Sequence, residues 1–183
     1  MIARPGGRLA LRGSTALAVL AGACWLAGGL GGCVSVPDQS SFTRPASHNG
    51  GPVVQLRAAR IPYVRNLAVH CWLIAYDPDE QRWHRWEVWQ TAGTGTGYWG
   101  HLRRDKSGPT SGVGAGGSWA LAEWHGREAR QLTAVLNQPE NYPYCHEYRY
   151  VPGPNSNTYV AWVLDQAGMD LNLPFAAVGA GYD

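Results

Sequence analysis

Residues 66–76 and 83–90 are rich in branched and aromatic side chains and flank the turn-forming run Asp77-Pro78-Asp79-Glu80, so they read as the two strands of an antiparallel hairpin. Side chains alternate between the faces of a strand, and the apolar stripes Val69, Cys71, Leu73 and Trp86, Val88 must share one core. Leu73 is therefore expected opposite Trp86, and Cys71 opposite Val88. The other face then carries His70, Trp72 and Ile74 beside Arg85, Glu87 and Trp89, with Glu87 opposite Trp72 and diagonal to His70. Residues 53–59 read as a further strand. Residues 93–117 hold nine glycines among Tyr98, Trp99, Arg103 and Arg104, and read as a long functional or mobile loop. Helical spacing appears twice: Ala129, Leu132, Val135 and Leu136 within residues 127–137, then Val160, Val163, Leu164 and Ala167 before Gly168. The expected fold class is α+β, an antiparallel sheet packed against two helices. A chain of 183 residues, 45% hydrophobic and 15% charged, supplies the core for one such domain and excludes a wholly disordered protein.

The first 32 residues differ from the rest. They contain Arg4, Arg8 and Arg12, no acidic residue, and an apolar, Gly-rich run ending before Cys33, as an export signal does. These three arginines account for more than the whole formal charge of +2, so the remainder carries −1 and lacks the basic footprint of a nucleic-acid binder. Leu30-Gly31-Gly32-Cys33 resembles the bacterial lipobox, with Cys24 the weaker candidate because Ala21 stands where the lipobox has Leu. The resemblance implies cleavage before Cys33 and a lipid on that residue. The protein is then expected in the cell envelope, anchored to a membrane and facing the periplasm from the outer membrane. Residues 33–52, rich in Ser, Pro and Gly, read as a tether, and residues 53–183 as the folded domain.

Three residues form a candidate catalytic set. A carboxylate beside an imidazole, as the register places Glu87 beside His70, can orient the ring and stabilise the imidazolium of a general base. Ser156 stands where a Pro/Gly-rich turn enters the last helix, and helix N-termini stabilise an oxyanion or an activated nucleophile. Asn155, Ser156, Asn157 and Thr158 are equally the residue types that cap helices, so a purely structural role stays open. A packed strand histidine among tryptophans is the corresponding structural reading of His70. Asn155, Asn157, Tyr144, Tyr148 and Trp72 are candidate binding residues beside this set. Cys71 and Cys145 would suit either a disulfide after export or two buried thiols. In His70-Cys71 and Cys145-His146 adjacent side chains point apart, so neither pair makes a metal site, and no cofactor motif is present.

Residues 53–60 (VVQLRAAR), 68–72 (AVHCW), 142–144 (YPY), 152–162 (PGPNSNTYVAW) and 177–179 (AVG) resemble the bacterial family called domain of unknown function 3750, with Ala180 where the family carries a lysine. More remotely, the order strand His70, strand Glu87, helix-start Ser156 resembles the circularly permuted papain-like hydrolases and acyltransferases, which include lecithin retinol acyltransferase. In those proteins an Asn-Cys pair opens the helix, followed by an aromatic residue and Val. Asn155-Ser156-Asn157-Thr158-Tyr159-Val160 keeps that frame with serine in place of cysteine. A helix N-terminus contributes about 0.3–1 kcal/mol, less than the 1.36 kcal/mol of one pKa unit. It therefore cannot ionise a serine, whose attack would need His70 to remove the proton. The resemblance implies action on an amide or ester in the envelope; the alternative is a non-catalytic lipoprotein that binds a peptide, glycan or lipid in the same pocket.

Overall fold

The computed structural model describes residues 51–64, 67–114 and 116–183. Cys24, Cys33, the expected signal at 1–32 and nearly all of the expected tether lie outside these residues. Five strands form one antiparallel sheet: β1 (Val53–Arg60), β2 (Val69–Asp77), β3 (Arg82–Gly93), β4 (Tyr98–Arg104) and β5 (Trp119–His125), in the spatial order β4-β3-β2-β1-β5. Helix α1 (Gly126–Leu136) follows β5 directly, and α2 (Ser156–Gln166) follows a long turn-rich connection. No helix of the described residues is long and apolar enough to cross a membrane.

The hairpin register is the one its apolar stripes require: Leu73 pairs with Trp86 and Asp77 with Arg82. Val54, Leu56 and Ala58 of β1, Cys71 and Leu73 of β2, Val88 of β3 and Leu102 of β4 are almost wholly buried on this face. Ala129, Leu132 and Leu136 of α1 and Val160, Val163 and Leu164 of α2 close over them, so both helices pack on the same side of the sheet. Burying each such aliphatic side chain is worth about 1.5–3 kcal/mol, and this layer is the main source of stability.

Residues 93–117 are not a structureless loop. They contain β4, whose Leu102 pairs with Val88 and whose Arg103 pairs with Glu87. Glycine density masked a seven-residue alternation that only a neighbouring strand makes visible. The glycines concentrate in the turns instead, where Gly95 and Gly97 adopt positive φ of 97° and 79°. Strand β5 was also missed: a single glycine, Gly126 with φ of 55°, is all that separates Trp119–His125 from α1.

Among the described residues no helix lies over the second face of the sheet. Residues 105–114 and 116–118 cross it, held by side chains from the strands: Trp72 Nε1 donates to Pro109 O (2.9 Å), Arg85 donates to Gly108 O (2.9 Å) and Ser111 O (2.6 Å), and Arg57 donates to Ser118 Oγ (3.0 Å). The strands thus bury charged and polar groups where a second apolar layer would ordinarily lie. Arg57, His70, Arg85, Glu87 and Arg103 are all at least nine-tenths buried.

Candidate functional site

Strands β2 and β3 part at one end, and the gap creates the site. Their pairing runs from Asp77↔Arg82 to Leu73↔Trp86 and stops, while β1 remains paired along β2 as far as Val69. The backbone groups of Val69 and Cys71 that face away from β1 therefore need new partners. Asn157 supplies two: its Oδ1 accepts from Cys71 N (3.0 Å) and its Nδ2 donates to Val69 O (3.0 Å). The tail supplies a third, with Val69 N donating to Ala176 O (2.9 Å). An asparagine side chain thus continues the ladder where β3 has left it, and fixes the start of α2 at the parting of the strands. Asn157→Asp would set a carboxylate oxygen against the Val69 and Val178 carbonyls that Nδ2 now serves. We expect a loss of about 2–4 kcal/mol in urea unfolding. An unchanged midpoint would show that the ladder does not depend on this amide.

Four buried polar residues open α2, and their roles separate. Asn155 is the N-cap: its Oδ1 accepts from Asn157 N (2.9 Å) and Thr158 N (3.4 Å), and its own N–H donates to Thr158 Oγ1 (3.1 Å), completing a capping box. Its Nδ2 donates to Tyr150 O (3.0 Å) and Val178 O (3.1 Å), and Thr158 Oγ1 donates to Gly179 O (2.6 Å). Gly179 has φ of 89°, and a Cβ there would strike the Asn155 amide, so the AVG block near the C-terminus is the backbone cradle of the helix cap. Ser156, only 5% exposed, takes no part in the capping box. It lines a cavity of about 300 Å³ together with His70, Asn155, Asn157, Tyr148 and apolar residues that include Val64, Val151 and Val178.

His70 reaches the same cavity from the other side of the gap. Its Nε2 bonds Glu87 Oε2 at 3.0 Å, which leaves Nδ1 as the nitrogen able to take a proton. The two side chains share a face because residues 70 and 87 have matching parity in the register. Glu87 Oε2 also accepts from Arg85 NH2 at 2.7 Å, and the Arg85 guanidinium lies 4.0 Å from the centre of the Trp72 ring. Trp89 meets the His70 ring edge-on at 4.8 Å, and Arg103 lies 5.1 Å from the Trp89 ring centre. His70 is therefore wedged between two indoles, with its orienting carboxylate pinned by an arginine.

Burial raises the Glu87 carboxyl, but the hydrogen bond from His70 and the charge of Arg85 outweigh it and hold the group down at about 2. For His70 burial dominates and lowers the pKa; Glu87 opposes this, while Arg85 and Arg103 reinforce it. The ring is thus kept neutral, as a general base requires. Both groups bind fewer protons folded than unfolded, so their contributions to stability are fully present above about pH 6.5 and decline as pH falls. His70→Gln keeps a donor for Glu87 but does not titrate. The slope of stability against pH between about 6.5 and 5 should flatten in that variant, with the steeper loss below about 4.5 retained. An identical slope in wild type and variant, measured by urea unfolding at each pH, would contradict the buried neutral ring.

Two expected binding residues lie elsewhere. Trp72 is fully buried and bonded to Pro109 on the second face, and Tyr144 packs edge-on against Tyr142 and Tyr182 in the aromatic cluster beside α2. Neither lines the cavity. Cys71 and Cys145 are free buried thiols; burial pushes Cys71 up to about 12, so it is unreactive. Asp77, Glu80 and His84 lie close enough to share a cation, but Arg82 pairs with Glu80 at 3.2 Å and Arg104 bonds His84 at 2.8 Å, which already supplies the positive charge. Arg57, Arg103 and the 177–179 cradle were not anticipated. Gln55 and Arg57 recur with period two among the apolar residues 53–59 of β1, and that parity was the available signal.

Fold and site together define an α+β domain with a buried His–Glu pair and a polar helix start at the parting of two strands. The chain belongs to the family described as "protein of unknown function (DUF3750)", whose model matches residues 51–182. None of the curated proteins and no solved structure matches it.

Proposed function

We propose that this protein is a cell-envelope lipoprotein, anchored through Cys33, whose domain is a hydrolase or acyltransferase of permuted papain type acting on an amide or ester. The observation that carries this reading is the shared cavity: it brings together Ser156, which is not needed for capping, and His70, whose far nitrogen is held by Glu87. Ser156 Oγ attacks the substrate carbonyl carbon while His70 Nδ1 removes the hydroxyl proton, and Glu87 stabilises the imidazolium. Of the first N–H groups of α2, those of Asn157 and Thr158 serve the Asn155 side chain and that of Tyr159 serves the Asn155 carbonyl. The Ser156 N–H is left as the donor for the oxyanion. Collapse of the adduct breaks the bond to the amine or alcohol, which leaves with the proton from His70. Water or a second acceptor then takes the acyl group from Ser156.

A fluorophosphonate probe tests this without a known substrate, because it phosphonylates an activated serine. A mass adduct is expected on the Ser156 peptide, absent in Ser156→Ala and slowed at least about 100-fold in His70→Ala, the lower end of what general-base removal costs. No adduct, or one indifferent to His70, would overturn the enzymatic reading and favour binding of a peptide, glycan or lipid in the same cavity.

A further inference from the structure

Most of the large hydrophobic side chains that the described residues expose fall on the connections that also contribute lining residues to the cavity. Tyr63 (103% exposed) and Leu67 (77%) project from the β1–β2 connection, and Tyr150 (61%) and Val151 (70%) from the turn before α2. Phe175 (103%) stands beside Ala176, whose carbonyl is bonded to the start of β2. Tyr150 and Val151 themselves line the cavity. Exposed apolar groups gathered round the entrance of a cavity are a surface suited to contact with a partner.

Charge and shape select the partner. Residues 60–68, 148–154 and 172–181 contain Arg60, Arg65 and Arg149 and no Asp or Glu, although the whole chain is almost balanced. Arg60 and Arg149 are exposed. The apolar groups are single prongs on three separate connections, with Tyr63 and Phe175 fully extended into solvent, and no strand edge or helix face joins them. A protein partner would need a matching hole for each prong, whereas a fluid bilayer accommodates them independently. Tyrosine, with an apolar ring and a polar tip, suits the headgroup boundary, and arginine suits lipid phosphate.

We propose that this rim seats on the surface of an anionic phospholipid bilayer, with Tyr63, Leu67, Tyr150, Val151 and Phe175 at the boundary of headgroups and acyl chains and Arg60 and Arg149 on phosphates. The cavity holding His70 and Ser156 then opens directly onto the membrane. This attachment is separate from any lipid on Cys33 and does not depend on catalysis, so its test does not depend on them either.

The test uses the full chain with Cys24→Ser and Cys33→Ser, in which the remaining cysteines are buried, bearing one nitroxide at Tyr63→Cys, at Val151→Cys, or at Glu128→Cys on the exposed side of α1 as control. Collision rates with oxygen and with a water-soluble nickel chelate are measured on vesicles of phosphatidylethanolamine and phosphatidylglycerol (4:1), and on phosphatidylcholine alone. At 63 and 151 the oxygen-to-nickel ratio should rise severalfold on the anionic vesicles, and less on the neutral ones, while 128 stays aqueous. Water-like ratios at 63 and 151, a response equal at all three positions, or immobilisation without gain of oxygen contact would overturn the proposal. The ratios are read on the vesicle-bound fraction, so an aqueous rim on bound protein is a clear negative.

Discussion

Glu87→Gln is expected to cost about 3–5 kcal/mol, the usual result of removing one partner from a buried charge pair. Glu87 is the carboxylate to which both His70 and Arg85 bond, and its residue is 1% exposed. Arg103, opposite it in the β3–β4 ladder, has Nε and NH2 without a hydrogen-bond partner and depends on the same negative charge. A neutral amide would leave two buried guanidinium groups without their shared carboxylate, with only neutral carbonyl, hydroxyl and ring contacts to offset the charge. Domains of this size hold about 5–15 kcal/mol in all, so urea unfolding should shift by a large part of its range. Arg85→Met combined with Glu87→Met removes both charges of the closest pair and should recover a substantial part of the loss, because apolar replacement of a whole pair is often neutral. A single-variant loss below about 1 kcal/mol, the level of an exposed pair, would show that water reaches the network and that the second face is open. If Glu87→Gln does not fold at all, the double variant still decides, since rescue requires that charge and not shape was lost.

The legible parts of this protein were those that local patterns fix. Period-two stripes in residues 69–73 and 86–88 set the register, and the register alone put residues 70 and 87 on one face. The helices announced themselves through Leu132 and Leu136, and through Val160, Val163 and Leu164. What stayed hidden needs contacts distant in sequence. Strand β4 is specified by Val88 and Glu87 across the sheet more than by its own glycine-bearing residues. The role of Asn157 depends on β3 leaving β2 at Leu73, and no pattern within residues 155–158 announces that. Capping chemistry explains why Asn, Ser, Asn and Thr stand together, but the choice of cap depends on which backbone the turn delivers. The turn delivers Asn155, and the AVG block takes its meaning from Asn155, Asn157 and Thr158, some twenty residues earlier.

Because the cap is Asn155, Ser156→Cys leaves the helix start intact and converts the site into its own reporter. An ordinary thiol of pKa about 8.5 is about 0.3% ionised at pH 6. A cysteine at the α2 N-terminus beside His70, with a pKa brought near 6, would be about half ionised, which raises the thiolate population about 150-fold. Nucleophilicity falls with pKa and takes back about one order of magnitude, so alkylation by iodoacetamide at pH 6 should run about tenfold faster than for a model thiol. Cys71, held at about 12 by burial, and Cys145, raised by burial and by Glu140, will not compete. The gain should vanish when His70→Ala is added, because the imidazole must accept the thiol proton. It should shrink with Glu87→Gln wherever that variant folds, because the imidazolium loses its counter-charge. The same cysteine with wild-type His70 and an ordinary pH profile would mean that the ring and residue 156 share a cavity without sharing a proton, and the cavity would then be a binding site.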